Sequence, residues 1–299
     1  RNRYIRKSGD EVHLMWSAQY VASMQTLYAA GRDISELIKA ESYQKAQQQI
    51  LHLISVDAPL DEILKRICLM AQIHYPAVKA CVMLKVGQKL KIASAPSFSK
   101  QFHSALANID IDDNVVSCGT AAFNTKLVIT KDISSDKSWQ GYAEAVLTEQ
   151  LLACWSLPMV TREHKILGTF ALYCKESRAP NSEELELLSS CCRYAANAIE
   201  RTEQKRLLSE SEQRFRSLYQ FNPDPVYILD QQGCFTAMNR SGCELLQWPL
   251  TDLQHIHFAD VIVEEHLSRV TKYFKNALTG NSESFEASIV SSNGSQHEL

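Results

Sequence analysis

The side chains that could bind a small molecule are concentrated in the middle of the chain. Trp139, Tyr142 and Trp155 offer flat apolar walls with a polar tip, which suit a planar or partly polar molecule. Groups that could fix its orientation lie nearby: Ser117, Thr120, Asp132 and Ser156. The structural alternative is that both tryptophans fill a core and that Asp132 and Ser134 end a strand. In either case, the sequence contains no set of side chains with the types and spacing of a catalytic centre.

The cysteines and histidines are not spaced for metal binding. The nine cysteines form no repeated CxxC pairs and no even framework of a small secreted domain, which indicates a reducing cytoplasm where most thiols are core residues. His255 and His257 are two residues apart and would lie on different faces of a helix. The other histidines considered are scattered, without ligand spacing: His52, His74, His103, His164 and His266. We therefore expect no metal site, and the sequence identifies no cofactor.

Length and composition predict folded modules without membrane or nucleic-acid contacts. The 299 residues suffice for about two domains of ~100 to 200 residues each. No uninterrupted run of about 18 apolar residues occurs, and the first residues lack a signal-peptide pattern. A net charge of -3 argues against a nucleic-acid surface, which needs clustered Lys and Arg. We expect a cytoplasmic stretch of protein, although its parent could have a membrane anchor elsewhere.

The N-terminal residues have the pattern of an antiparallel meander followed by a helix. Runs rich in Tyr, Ile, Val and Trp predict three strands, at residues 2–7, 11–20 and 26–33. The SGD segment at 8–10 is the predicted turn between the first two strands. Ser35 is the predicted N-cap of the helix, because its hydroxyl can accept a bond from an unpaired amide of the first turn. A narrow seam that suits a partner helix follows: Tyr43, Ala46, Ile50 and Leu53.

The next stretch predicts an α+β sandwich. Pro59 opens a second helix, whose wide apolar stripe suits packing on a sheet. Strands are predicted at 78–86 and 89–95 around Gly87, and a short helix near 98–107 precedes a Gly-containing loop. The remaining predicted elements are a strand at 126–133, a helix near 139–151 and two strands at 154–161 and 166–174.

A long helix closes this stretch. It is predicted to begin at Asn181, with Glu184 at the spacing of a capping box. Its apolar positions keep a heptad rhythm through Leu185, Leu188, Cys192, Ala195 and Ile199, and the rhythm resumes at Leu208, Phe215 and Leu218. A continuous helix over 182–220 would be about 57 Å long at 1.5 Å per residue. Helices of that length connect modules.

The two ends of the chain share one pattern. Residues 2–14 and 286–299 each have the composition of a strand, a glycine turn and a second strand. A two-stranded hairpin is marginally stable by itself. We therefore expect the chain to be an excerpt from a longer array of repeating modules.

The middle of the chain resembles a GAF domain. The blocks that carry the resemblance are SCGTAAFNTKLVITKDISSDKSW at 117–139, ACWSLPMV at 153–160 and ILGTFALYCKESRAPNSEELELL at 166–188. They are similar to a bacterial GAF subgroup in which these motifs occur together. Both ends resemble PAS domains: GRDIS, which ends at Ser35, is similar to the D-I-T signature that closes many PAS domains, with Ser in place of Thr.

The resemblance implies an α+β protein, in which an antiparallel-sheet GAF domain has flanking PAS-like α/β segments joined by long helices. The implied segments are the C-terminal part of a PAS domain at 1–38, a linker helix and GAF start at 39–57, the GAF domain at 43–200, a linker helix at 201–214 and the N-terminal part of a second PAS domain at 209–299.

The resemblance also implies the sensory region of a bacterial signal-transduction protein. Pockets of GAF and PAS domains lie between the sheet and its covering helices. The implied binding residues for an unidentified small molecule are Ser117, Cys118, Thr120, Asp132, Trp139, Tyr142, Cys154, Trp155 and Ser156. In the second PAS domain, Tyr227, Asn239 and Trp248 could border a pocket, but core packing is favoured. The implied output is a cyclic di-GMP synthesising or degrading domain outside this stretch. A histidine kinase sensor and a ligand-free dimerisation scaffold are the alternatives.

Cys118 belongs to a CGTA segment that also occurs in GAF proteins that reduce free methionine sulfoxide. A reducing thiol needs access, partial ionisation and a resolving partner, for which Cys154 is the candidate. Those enzymes have a further reactive Cys in the loop before a Leu-Pro strand, where this chain has Glu149 and Gln150. This departure argues against reductase activity.

Signals are expected to pass along paired helices of a homodimer. The implied transmission residues are Asp33, Ile34 and Ser35 at the first helix and Leu185, Leu188, Cys192, Ala195 and Ile199 on the closing helix. A ligand acts in this scheme through its different affinities for two packing states. The alternative is that these seams pack on their own domain.

Overall fold

The computed structural model describes residues 2–7, 11–248, 252 and 256–298. The chain divides into two compact units, residues 1–204 and 205–299. The first unit contains β1 (Asn2–Ile5), β2 (Glu11–Val21), β3 (Thr26–Asp33), α1 (Ser35–Ser55), α2 (Leu60–His74), β4 (Val78–Val86), β5 (Lys89–Ser94), α3 (Lys100–Ala105), β6 (Ile109–Asp110), α4 (Val116–Asn124), β7 (Val128–Thr130), α5 (Ala143–Leu147), β8 (Ala153–Val160), β9 (Ile166–Cys174) and the start of α6 (Ser182–Gln220).

The described part of the second unit contains the end of α6 followed by short strands and helices. These are β10 (Tyr227–Leu229), β11 (Phe235–Met238), α7 (Arg240–Leu246), α8 (Glu264–Ala277), β12 (Ser288–Val290) and β13 (Gln296–Glu298). β10 pairs with β11, and β12 pairs with β13, both antiparallel. Across the part of the chain that the structure describes, no helix is both long enough and apolar enough to cross a membrane.

The predicted N-terminal meander is confirmed, since β1, β2 and β3 form a three-stranded antiparallel sheet in that order. The predicted turn at 8–10 lies outside the described residues. The prediction that Ser35 is the N-cap of α1 is wrong. Ile34 holds that position, and the Ser35 hydroxyl instead accepts a bond from the His13 amide at 2.9 Å. Asp33 Oδ1 accepts from the Ser35 amide, also at 2.9 Å, so this pair joins the meander to α1.

A six-stranded antiparallel sheet with the order β6-β5-β4-β9-β8-β7 forms the centre of the first unit. Successive residues of a strand point to opposite faces, and both faces of this sheet are buried. Trp155 lies in the core that α2 and α6 cover, whereas its neighbour Cys154 lies in the core on the other face. The predicted α+β class with an antiparallel sheet is confirmed.

The sequence predicted the strands of this unit better than its short helices. The segment described as a Gly-containing loop is the helix α4, which begins at Val116. The helix predicted near 139–151 is shorter: a 3₁₀ turn at Lys137–Trp139 precedes α5 at Ala143–Leu147.

The capping box of α6 is confirmed, and so is the continuous helix. Asn181 Oδ1 accepts from the Glu184 amide at 2.8 Å, and a Glu184 carboxylate oxygen accepts from the Asn181 amide at 2.9 Å. The predicted seam lies against the unit's own core: Leu188, Cys192, Ala195 and Ile199 are buried there, and Leu185 is half-buried. The first half of α6 therefore packs on its own domain.

Candidate functional site

A row of three neighbouring side chains on β7, β8 and β9 forms the floor of a buried site in the first unit. Thr130 pairs with Cys154, and Cys154 pairs with Tyr173, in adjacent strands. Residues directly opposite each other in an antiparallel sheet point to the same face, so a hydroxyl, a thiol and a phenol lie side by side. Because α4 packs on β8 and β9, it brings Ser117 and Cys118 onto this row.

Ser117 and Trp139 close the row at Thr130. Ser117 Oγ and Thr130 Oγ1 are 2.9 Å apart, and the Trp139 indole nitrogen lies 3.3 Å from both oxygens. Thr130 also donates to Asp136 Oδ2 at 3.0 Å. Ser117, Thr130 and Trp139 are all buried. This network fixes the start of α4 against the sheet.

Three buried hydroxyl groups around Cys118 have no hydrogen-bond partner within the described chain. They are Ser156 Oγ, Thr169 Oγ1 and Tyr173 OH, and all three residues are 0% exposed. Buried hydroxyls usually find a partner, because an unpaired one costs about 1–3 kcal/mol. This site therefore contains three hydroxyl donors that have no acceptor within the described chain, and they lie near the thiols of Cys118 and Cys154.

The thiols of Cys118 and Cys154 influence each other's protonation. The Cys154 thiol, acting as a hydrogen-bond donor, lowers the pKa of Cys118, and the hydroxyls of Ser156, Thr169 and Tyr173 act in the same direction. Burial, which disfavours a charged group, raises the pKa of Cys154. Cys118 is therefore the member of the pair that forms a thiolate more readily.

The structure brings together five of the predicted ligand residues and separates the others. Those at the row are Ser117, Cys118, Trp139, Cys154 and Ser156. Trp155 lies on the opposite face of the sheet, and Asp132 lies in an exposed turn where its Oδ1 accepts from the Ser134 amide at 2.9 Å. Thr120 has a buried hydroxyl without a partner within the described chain, and Tyr142 packs at the edge of the core. Whether any of these residues binds a ligand stays a prediction.

A second cluster, which the sequence did not predict, connects β8 to the start of α6. Trp155 Nε1 donates to the Arg178 carbonyl at 3.2 Å, and the Arg178 guanidinium lies 5.2 Å from the centre of the Trp155 ring. Arg178 also binds Glu184 through two hydrogen bonds of 2.7 Å. Burial alone would raise the pKa of Glu184, but the bonds from Arg178 and the Asn181 amide outweigh burial and lower it. The cluster therefore attaches the sheet to α6.

The second unit contains a cavity of about 450 Å³. Most of its wall is aliphatic and aromatic, with side chains that include Leu229, Phe235, Met238, Val270, Phe274 and Ile289. Tyr273, Glu283 and Ser284 add polar groups to the same wall. The arrangement suits a mostly apolar molecule that carries one polar group.

Of the residues predicted near a pocket in this unit, Tyr227 lines the cavity. Asn239 is 0% exposed and caps α7 instead, because its Oδ1 accepts from the amides of Gly242 and Val226, each at 2.9 Å. Trp248 packs against the core, where its indole nitrogen has no partner within the described chain. His255 lies outside the described residues. The cavity needs residues from several distant segments, which no local sequence motif indicates.

Two domain families match this chain. The GAF domain family model matches residues 57–200, and the PAS fold model matches residues 213–298. A methyl sulfide methyltransferase-associated sensor of Methanosarcina acetivorans is 29% identical over 265 residues, which is 88% of this chain and 27% of that protein. The chain thus spans about a quarter of the length of this relative.

Solved structures of low sequence identity also align with the chain. A putative GAF sensor protein from Burkholderia vietnamiensis is 15% identical, with a TM-score of 0.43, and the match covers 53% of this chain and 93% of that chain. A domain of a putative two-component sensor histidine kinase from Sinorhizobium meliloti is 14% identical, with a TM-score of 0.40, over 52% and 97% of the two chains. From the two family matches, this chain carries a GAF domain at residues 57–200 followed by a PAS-fold domain at residues 213–298, and it is a sensor region of a signalling protein.

Proposed function

We propose that this sensor region holds a small, mostly apolar molecule in the cavity of its PAS domain. The observation that carries the proposal is the 450 Å³ space with apolar walls. Its volume lies within the ~300–1,000 Å³ typical of small-molecule sites. A molecule bound there would stabilise the folded domain by mass action.

We expect the PAS cavity to bind the neutral apolar fluorophore N-phenyl-1-naphthylamine, and Ala287→Phe to weaken that binding by about tenfold or more. Ala287 is a buried part of the cavity wall, and the larger ring would occupy the space that the probe needs. Fluorescence titration of the purified chain measures the affinity and the stoichiometry, which is expected to be one probe per chain.

Ala29→Phe is the matched control for this experiment, because Ala29 is an exposed residue of β3. It adds the same apolar ring outside the cavity and is expected to leave the affinity unchanged. Equal affinities for the parent chain and Ala287→Phe would show that the probe binds elsewhere and would refute the cavity site. Native mass spectrometry of protein from its source then identifies the natural molecule.

The route proposed for the signal is a homodimer in which α6 pairs with its copy. The buried heptad positions of its first half are already packed in the GAF core. In the second half, Leu208, Phe215 and Leu218 are exposed, at 61%, 65% and 70%, and recur at spacings of seven and three. Side chains with this spacing suit a coiled-coil seam. Asp33, Ile34 and Ser35, which join the meander to α1, are proposed to transmit the signal at the first helix in the same way.

The double variant Phe215→Lys/Leu218→Lys is expected to convert the dimer to a monomer, because it places charges in the apolar seam of α6. Sedimentation equilibrium measures the molecular mass. Gln213→Lys/Ser217→Lys adds the same charge to exposed positions on another face of the helix and is expected to leave the dimer intact. A parent chain that is monomeric at high concentration would rule out this route.

The output that we propose for the full protein is synthesis or degradation of cyclic di-GMP, since the GAF blocks are similar to those of cyclic di-GMP proteins. A histidine kinase is the second candidate. Assays of the full-length protein distinguish them: conversion of GTP or of cyclic di-GMP supports the first, and transfer of phosphate from ATP to a protein histidine supports the second. An inactive full-length protein that dimerises would instead support the scaffold alternative.

A further inference from the structure

Three buried cysteines share the core on one face of the GAF sheet, and two of them, Cys118 and Cys154, belong to α4 and β8, which pack together. Cys81 pairs with Ala171, and Ala171 pairs with Ser156, in one cross-strand row. Cys154 lies in the next row, between Thr130 and Tyr173. Ser117 Oγ contacts Thr130 Oγ1 at 2.9 Å, and α4 packs on β8, so Cys118 in the same turn of α4 lies in the core on the face that carries Cys154. Both residues belong to the same buried core.

The surroundings of this pair suit a thiolate more than a neutral core thiol. Ser156, Thr169 and Tyr173 lie on the sheet face that carries Cys154, and their hydroxyls lower the pKa of Cys118. None of these hydroxyls has a hydrogen-bond partner within the described residues. A negatively charged sulfur accepts several hydrogen bonds from such donors, which stabilises it in a buried site. The hydroxyls thus have a function once Cys118 loses its proton.

We propose that Cys118 and Cys154 form a reversible disulfide that joins α4 to β8 when the sensor meets hydrogen peroxide. This inference goes beyond ligand binding in the PAS domain. The Cys118 thiolate attacks one peroxide oxygen, so that an S–O bond forms, the O–O bond breaks and hydroxide leaves to take up the proton that Cys118 released. The Cys154 thiol then attacks the sulfenic sulfur, the S–S bond forms, and the S–O oxygen leaves as water with the proton of Cys154. Two thiols and one peroxide yield one disulfide and two waters.

The other cysteines are less suited to this reaction. Cys191 and Cys192 are consecutive residues of α6, so their side chains do not face each other, and both lie in the core on the other face of the sheet. The thiol of Cys68 donates to the Ser94 carbonyl on the other face of the sheet. Cys81 is the closest competitor, because it shares the face but lies in the neighbouring row. It is therefore the matched control position.

The disulfide has a direct structural consequence for the sensor. Cys154 and Trp155 are consecutive residues of β8 and point to opposite faces. A bond that pulls on Cys154 therefore also acts on Trp155, which contacts Arg178 in the segment just before α6. Oxidation on one face of the sheet would thus change packing at the helix that leaves the domain.

The test is peroxide treatment of the folded chain, followed by denaturation and alkylation. The chain has nine cysteines, so we expect seven alkylated thiols, and non-reducing peptide mapping should join the peptides that contain Cys118 and Cys154. Reduction should restore all nine. Both residues are 0% exposed, so the reaction is expected to follow local opening and to be slower than oxidation of a surface thiol.

Three variants assign the roles. Cys118→Ser should abolish the disulfide, Cys154→Ser should leave a Cys118 sulfenic acid that the reagent dimedone traps, and Cys81→Ser should leave the disulfide intact. Tryptophan fluorescence checks that each variant is folded. Nine alkylated thiols after treatment of the folded parent chain would overturn the proposal, and so would a crosslink that needs Cys81 or that forms only in urea. Since the parent chain alone gives the thiol count, a variant that fails to fold does not remove the test.

Discussion

Gly168→Ala is expected to unfold the GAF domain. A Cβ atom at this position would lie 2.0 Å from the Met83 carbonyl oxygen and 2.9 Å from the Leu84 Cα. Both are backbone atoms of β4, which pairs with β9 in the centre of the sheet, so no side-chain rotation relieves the clash. We expect a loss of about 4 kcal/mol or more in the free energy of unfolding, a large part of the ~5–15 kcal/mol of an ordinary domain. Urea titration followed by tryptophan fluorescence measures it, because Trp139 and Trp155 are both fully buried in this domain.

Gly87→Ala provides the comparison. Gly87 lies in the turn between β4 and β5 with a φ of +63°, and a Cβ there meets no atom within 4 Å. The substitution therefore incurs only the left-handed backbone cost of about 1–2 kcal/mol. If both variants lose the same amount of stability, the close approach of β9 to β4 does not determine the need for glycine at residue 168.

The strands and the long helix were predictable because local residues determine them. The meander follows from runs of β-branched and aromatic residues, and the capping box of α6 needs only Asn181 and Glu184 at the right spacing. Each pattern lies within one short segment. The prediction that Ser35 is an N-cap failed because its hydroxyl binds a group outside the local segment. That group is the amide of His13, which is distant in sequence and is brought close by the meander.

The helix α4 was missed because Gly119 suggested a loop. In the structure, this glycine lies inside the helix, where a Cβ would be 2.5 Å from the Asp110 carbonyl oxygen. The need for glycine thus comes from the packing of α4 against β6 and not from a turn. Since this requirement depends on the assembled domain, the local sequence favours a loop where packing produces a helix.

In the candidate sites too, the features that one short segment determines were predictable, and those that depend on the tertiary structure were not. Ser117, Cys118, Cys154 and Trp155 were predicted to share one ligand site, which stays a prediction. The helix α4 with Ser117 and Cys118 packs on β8, which carries Cys154, but Trp155 follows Cys154 on that strand and therefore faces the other side of the sheet. The alternation of ILGTFALYC would have indicated that Thr169 and Tyr173 share the face of Cys154 once the pairing of β8 with β9 was known. The PAS cavity forms between segments that are distant in sequence, so it could not be predicted from a motif.

Arg178→Ala is expected to destabilise the GAF domain by about 3–5 kcal/mol, because it leaves the Glu184 carboxylate buried without its cation. The Glu184 side chain is 3% exposed and receives two bonds of 2.7 Å from Arg178. The loss should be largest near neutral pH. Glu184 has a lowered pKa in the folded chain, so its contribution is present above the unfolded value of about 4.3 and is lost as the pH falls through the folded value. Urea titrations at several pH values measure this dependence.

Glu184→Gln separates the charge from the shape of this contact. In the Arg178→Ala background, it should recover part of the lost stability, since a neutral amide needs no cation in a buried site. Lys39→Ala breaks the exposed pair with Glu36, at 3.0 Å, and should cost no more than about 0.5 kcal/mol. A loss in Arg178→Ala that matches Lys39→Ala, or that does not change with pH, would mean that α6 is held by its apolar face alone. A loss of the expected size instead assigns the Arg178–Glu184 contact the role of attaching α6 to β8, the strand that has Cys154 on one face and Trp155 on the other.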